Sequence, residues 1–350
     1  MNRRAFAAAL ALTLGLTPGA ATAQVPGQAV PRSDLTRLLA AQLSRFPSKS
    51  GVYVKDLATG QEAFVRGDEH FESASTIKIA ILVLAFQLAD AGKLDLTKRH
   101  VLDPDDFRGG SGILRYADFG LAPTLHDLIT QMVVTSDNTA TDIMIRQVGG
   151  VDAVNAFLQR SGFASLRLNK TLLDHFRWRY EVLDPKYRSL SAQDVFALQS
   201  NAPYFAGPRQ ALIRQVQDET AARDLDTLVA RAGGSEDTWL GVVTPRELGR
   251  ILEGIERETI ASPSACQDMK RILRAQQSGA RKIPHFLTVP VAHKTGENTG
   301  VTHDMGMIYA RSGTIVMVSL NTGVTGLMAD ADDRIGGLAR LVVDYFDGAR

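Results

Sequence analysis

Cysteine is nearly absent. Cys266 stands alone in 350 residues, so no disulfide can form within the chain and a large core must hold the fold. With no motif around it, Cys266 reads as a small buried hydrophobe. An excess of charge of one sign is lacking too. Thirty-nine Lys and Arg face 38 Asp and Glu, which favours neither a nucleic acid nor an anionic membrane as partner. The seven histidines are scattered, with no His-x-x-x-His pair and no cysteine partner. No metal site and no cofactor are therefore expected. The glycine-rich "RGGSG" (108–112) lacks the Lys-Ser/Thr of a phosphate loop and reads as a flexible loop. Past the first residues, no run is long and apolar enough to form a membrane helix.

The N-terminus reads as a processing signal. Arg3 and Arg4 precede the apolar "AFAAALALTLGL", and Ala21-Thr22-Ala23 fits a small-x-small cleavage site. Residues 1–23 are thus expected to be a cleaved leader, with a partial twin-arginine character. The mature protein is expected to be periplasmic or secreted, without a stable membrane anchor. Without Arg3 and Arg4 its formal charge falls from +1 to about −1. Residues 24–33, with Pro26, Gly27 and Pro31, read as a linker.

Strand patterns lie at both ends and helix patterns between them. "DLTRLLAAQLSRF" has helical spacing, and "GVYVKDL" with "EAFVRGD" reads as a hairpin. "IKIAILVLAFQLADAG" is apolar on every side, as a central helix must be. Residues 124–149 read as one helix, opened by a Thr124/Asp127 capping box and stopped by Gly149-Gly150. Further helices are expected at 152–161, 191–200, 208–232 and 244–258. "TVPVAHKTG", "HDMGMIYAR" and "GTIVMVSLNTG" read as three consecutive antiparallel strands, followed by a closing amphipathic helix. The expected class is α/β (α+β): an antiparallel sheet built from both termini and flanked by helices, with an all-helical domain inserted. The α/β part is expected at 34–72 and 285–350 and the helical part at 73–284.

Three short patterns carry chemistry. In "SASTIKIAIL", Ser75 and Lys78 are three apart and share a helix face. A serine at a helix start lies near free backbone N–H groups, and a desolvated lysine can take its proton. Ser136-Asp137-Asn138 offers a hydroxyl for proton relay and an amide for a carbonyl. Lys294-Thr295-Gly296 offers a cation and a hydroxyl for a carboxylate, with a glycine that lets substrate lie along the strand. Each pattern is weak alone.

In this order, Ser-x-x-Lys, Ser-Asp-Asn and Lys-Thr-Gly resemble the motifs of class A β-lactamases and penicillin-binding proteins. "SGIL" (111–114), "SDNTATDIMIRQVGG" and "HKTGENTGVTHDMGMIY" add to the likeness, which covers roughly 35–163 and 240–347. The resemblance implies that Ser75 is acylated, Lys78 activates it, and Ser136 passes a proton to the leaving nitrogen. It implies that Asn138 holds the substrate amide and that Lys294 and Thr295 bind its carboxylate. The backbone N–H groups of Ser75 and Glu297 would form the oxyanion hole. The implied substrate is a small-molecule β-lactam or a peptidoglycan stem, and the implied state is a monomer.

The chain departs from that pattern in three places. The family's water-activating glutamate falls at Leu172. The stretch 169–243 carries dozens of extra residues beside the site and reads as a lid or cap. Asp174 and Glu181 are the acids nearest in sequence that can replace the missing base. His303 stands where many relatives have a carboxylate-binding arginine, and it can do that work only when protonated. Three activities stay open: β-lactam hydrolysis, DD-peptidase or esterase-like hydrolysis, and a penicillin-binding sensor that stays acylated.

Overall fold

The structure, a computed structural model, describes residues 33–200 and 203–348. The expected leader and all but the last residue of the expected linker lie outside them. The chain opens with α1 (Ser33–Leu43), β1 (Lys49–Asp56), β2 (Glu62–Val65), β3 (Phe71–Glu72) and α2 (Lys78–Asp90). Then come α3 (Leu125–Val134), α4 (Asn138–Gln147), α5 (Gly150–Arg160) and β4 (Arg167–Leu168). The extra residues form α6 (Leu172–Leu183), α7 (Ala192–Ser200), α8 (Pro203–Arg223) and α9 (Leu225–Ala232). The chain ends with β5 (Gly241–Val243), α10 (Pro245–Glu256), α11 (Pro263–Arg274), β6 (Val291–Asn298), β7 (Val301–Ala310), β8 (Gly313–Thr322) and α12 (Met328–Gly348).

The large sheet has the order β2-β1-β8-β7-β6, and every pairing is antiparallel. Its strands alternate as the pleat requires. Val52, Val54, Ile315 and Met317 face α1 and α12, while Tyr53, Val316 and Val318 face the helical side. Turn chemistry fixes the hairpins. The β1–β2 turn is held by Asp56, which accepts from the Thr59 hydroxyl at 2.6 Å, and closes through Gly60 at φ 74°. The β6–β7 turn needs only Thr299 and Gly300, whose φ of 67° suits a glycine.

α2 is the central helix, with Lys78–Phe86 buried throughout. The expected single helix over 124–149 is instead two helices. α3 ends at Val134, Ser136 takes φ 54°, and the Asp137 side chain caps α4 by accepting from the Ala140 N–H. The apolar spacing runs straight across this break, which hides it in the sequence. The Thr124/Asp127 capping box is present at the start of α3. Two helices without an expected counterpart, α6 and α11, begin at Thr171 and Ser262 caps. The expected 208–232 helix divides at Asp224 into α8 and α9.

The stretch 73–284 was expected to be all helical but also carries strands. β3, β5 and β4 form a small sheet in that order. β4 and β5 are two and three residues long, too short to show a period. The extra segment also has a core of its own, built on Leu183, Tyr187, Leu190, Val195 and Val216.

Candidate active site

Three pieces of chain meet at the site. Ser75 lies in a 3₁₀ turn, Ala74–Ile77, between β3 and the first residue of α2. The turn is tied down by Ser73, whose N–H reaches the Gly241 carbonyl and whose carbonyl accepts from the Thr76 N–H and hydroxyl. Ala74, next to Ser75, has φ 40°. A left-handed non-glycine residue costs on the order of 1 kcal/mol and is held only by the structure around it.

Lys78 is fully buried on α2. Its ammonium donates to the Ser136 carbonyl at 2.7 Å and the Asn138 Oδ1 at 2.9 Å, and it lies 3.2 Å from the Ser136 hydroxyl. Burial pushes its pKa down to about 7, with partial opposition from Asp137 and Asp142. At neutral pH this amine is therefore divided between its acid and base forms. Lys294, on β6, is also fully buried and lies 3.0 Å from the same Ser136 hydroxyl. Burial, then the charge of Lys78, holds its pKa well below the ordinary lysine value. One hydroxyl thus bridges two amines, which is the geometry of a proton relay. Ser136 is itself left-handed, like Ala74.

The "RGGSG" loop, expected to be flexible, is docked on this centre. The Asn138 amide donates to the Gly109 carbonyl, and the Asn138 N–H donates to the Ser111 carbonyl. The Leu114 N–H donates to Asp137 at 2.8 Å. Gly112 has φ 108°, and a Cβ there would fall 2.2 Å from the Asp137 carboxylate. Glycine is required for that approach. Burial raises the pKa of Asp137, while these amide bonds and Lys78 favour its charged form.

β6 is an edge strand of the large sheet and lies against the Ser75 turn. A Cβ on Gly296 would stand 3.2 Å from the Ser75 nitrogen, so glycine here lets strand and turn close up. Thr295 shares a 2.6 Å hydroxyl contact with Ser278. Glu297, two residues on, sends its exposed carboxylate to the buried Lys282. Ser278 and Lys282 carry no pattern that sequence reasoning can detect.

His303 is not available as a carboxylate anchor. It is buried, its Nδ1 accepts from the Asn321 N–H at 3.0 Å, and its Nε2 donates to the Glu72 carbonyl at 2.7 Å. Burial holds it neutral, with its pKa pushed down to about 4. Leu172 is buried at the first position of α6. The N–H groups of Leu172 and Leu173 donate to Asp142 at 2.7 and 3.0 Å. Asp142 also forms a buried pair with Arg108 at 2.6 Å. Asp174 and Glu181 are committed elsewhere. Asp174 accepts from the Thr171 hydroxyl and pairs with Arg177, while Glu181 pairs with Arg188. Among the described residues, no hydrogen bond or ion pair joins either acid to Ser75, Lys78 or Ser136.

Comparison with known proteins gives the family and agrees with the fold. Residues 32–346 match the family model described as the beta-lactamase enzyme family. A beta-lactamase from Streptomyces lavendulae is 29% identical over 48% of this chain and 56% of its own length. Beta-lactamase L2 from Stenotrophomonas maltophilia is 34% identical over 47% of this chain and 54% of its own. The chain thus spans about half the length of the curated relatives it matches. Among solved structures, a beta-lactamase from Sphaerobacter thermophilus superposes with a TM-score of 0.67 at 24% identity, covering 89% of this chain and 96% of that one. The protein PBP-A superposes with a TM-score of 0.69 at 22% identity, covering 92% and 99%. At these identities the superpositions speak for the fold alone.

Proposed function

Because the chain belongs to the beta-lactamase enzyme family, we propose that it is an exported serine hydrolase that opens β-lactam rings through an acyl-Ser75 intermediate. The observation that carries this reading is the Ser136 hydroxyl set between the Lys78 and Lys294 amines. Neutral Lys78 takes the Ser75 proton as Oγ bonds to the lactam carbonyl carbon. The N–H groups of Ser75 and Glu297 hold the developing oxyanion. When the C–N bond breaks, Ser136 protonates the leaving nitrogen and is resupplied from Lys78. Asn138 takes the substrate's amide, and Lys294 with Thr295 its carboxylate. Water then cleaves the ester and frees Ser75. The substrate is a small β-lactam and the working state a monomer, with no nucleic acid or membrane partner.

A second reading is favoured by Leu172. A buried leucine at the start of α6 cannot activate water, and both Asp174 and Glu181 have other partners. On this reading the acyl-enzyme is long-lived, and the protein is a penicillin-binding hydrolase of the DD-peptidase or esterase kind, or a sensor. One neighbour in fold, PBP-A, is itself recorded in an L158E variant as an acyl-enzyme with penicillin G. Intact-protein mass after mixing with a penicillin, run beside a chromogenic cephalosporin, separates the two. Rapid hydrolysis with little adduct supports the β-lactamase; a stable adduct supports the second reading. No adduct and no hydrolysis would overturn both.

A further inference from the structure

α7, one of the extra helices, meets the loop 105–111 along a single face. The Gln193 amide donates to Asp105 at 3.0 Å. The Phe196 ring packs on Phe107, with centroids 5.6 Å apart and both side chains buried. Gln199 lies so close to Gly109 that a Cβ on the glycine would fall 2.4 Å from the Gln199 Cβ. Residues three apart share a helix face, and these three meet alternate residues of the loop. α7 is itself braced, because Arg209 of α8 holds Asp194 at 2.7 Å and Gln193 at 3.0 Å. All of these helix residues fall inside the extra stretch 169–243.

The same loop holds Asn138. The Gly109 carbonyl accepts from the Asn138 Nδ2 at 3.0 Å, and the Ser111 carbonyl accepts from the Asn138 N–H at 3.1 Å. The Arg108 N–H donates to the neighbouring Thr139 hydroxyl at 2.9 Å. The loop thus bridges α7 and the start of α4. Only one orientation of the Asn138 amide satisfies its neighbours. The Lys78 ammonium can only donate, so it fixes Oδ1 on its own side at 2.9 Å. Nδ2 must then face Gly109, whose carbonyl takes one of its two hydrogens. The second has no acceptor among the described residues and is left for a substrate. Its direction depends on the Gly109 carbonyl, and the place of that carbonyl depends on α7.

We propose that α7 is a splint for Asn138. Gln193, Phe196 and Gln199 are positioning residues that keep the Gly109 carbonyl where it aims the free Asn138 N–H at the amide carbonyl of the substrate. The substrate half of this statement rests on the reading of Ser75 given above; the bracing of the loop by α7 does not.

Two measurements on the whole protein test it separately. The first is amide hydrogen exchange. In Phe196→Ala the N–H groups of Arg108, Leu114 and Asn138, which are bonded only while the loop is docked, should exchange at least about tenfold faster. Those of β7 and β8 should keep the parent's rate. The milder double variant Gln193→Ala/Gln199→Ala should show a smaller rise at the same three groups, and it decides the matter should Phe196→Ala not fold. Unchanged protection overturns the proposal. The second measurement compares Ser75 acylation, read by mass, for benzylpenicillin and 6-aminopenicillanic acid, which has no side-chain amide carbonyl. The ratio of the two rates should fall at least about threefold in Phe196→Ala. General loosening of the fold slows both substrates alike and leaves the ratio as it was. In an Asn138→Ala background, Phe196→Ala should change the ratio no further. A ratio unchanged with Asn138 present, or lowered again with it absent, overturns the proposal. If exchange responds as expected but neither penicillin adds mass to the parent, it is the reading of Ser75 that fails, and the bracing of Asn138 by α7 stands.

Discussion

Two buried amines sharing one hydroxyl is an arrangement with a defined cost. Burial disfavours the charged form of both, and the charge of Lys78 lowers the proton affinity of Lys294 further. Lys78, pushed down to about 7 by burial, is the one poised to act as a base. Acylation should therefore slow about tenfold per pH unit below 7 and level off above it. The measurement is single-turnover adduct formation across pH 5–9; a flat profile would exclude Lys78 as the base. Ser75→Ala should remove all covalent labelling by a penicillin, as seen by mass. Lys78→Ala should slow acylation by about 10²–10⁴-fold. At this scale the sequence singles out Ser75, Lys78, Ser136, Asn138 and Lys294 because those residue types recur at fixed spacings, and the fold joins the last four in one hydrogen-bonded cluster. Asp142, Ser278 and Lys282 were not legible. Each is an ordinary residue until the fold brings it to the site. His303 misled for the same reason, since its neighbours in sequence do not reveal the Glu72 carbonyl and Asn321 N–H that occupy its two nitrogens.

At the scale of elements, α6 is the informative case. It starts where the resemblance in sequence implies a water-activating acid, and its first turn is fixed by the distant Asp142 as well as by its Thr171 cap. Asp142→Asn leaves Arg108 buried without a counter-charge and should cost about 3–5 kcal/mol, read by denaturant unfolding. Leu172→Glu should shorten the lifetime of the acyl adduct while lowering stability by about 2 kcal/mol, since a buried apolar side chain gives way to a carboxylate. An adduct as long-lived as in the parent would show that position 172 does not set turnover. The helices whose apolar faces are regular were readable, as were the five longer strands with their alternation. The break between α3 and α4 was not, because it lies in the backbone angle of Ser136 rather than in the polarity pattern. β3, β4 and β5 were too short to be seen at all.

At the scale of the molecule, the helical side and the large sheet share one continuous core and in places approach very closely. Gly249 of α10 is one such place: a Cβ there would fall 2.4 Å from the Tyr53 ring on β1. Gly249→Ala should force the two layers apart and cost about 1–3 kcal/mol, seen as a lower melting temperature with a smaller effect on the serine's reactivity. The sheet also imposes an order of events. β1 pairs with β8, so Lys49 finds its partner at Thr322, nearly the whole chain later. A ribosome that has delivered the Ser75 turn, the Ser136 bend and every helix of the extra segment has still not delivered β6 or the strand that completes the sheet. Contacts so distant are slow to form. The nascent chain should therefore stay without reactive serine chemistry until its last strands emerge, so covalent labelling of Ser75 would serve as a clock for the completion of folding.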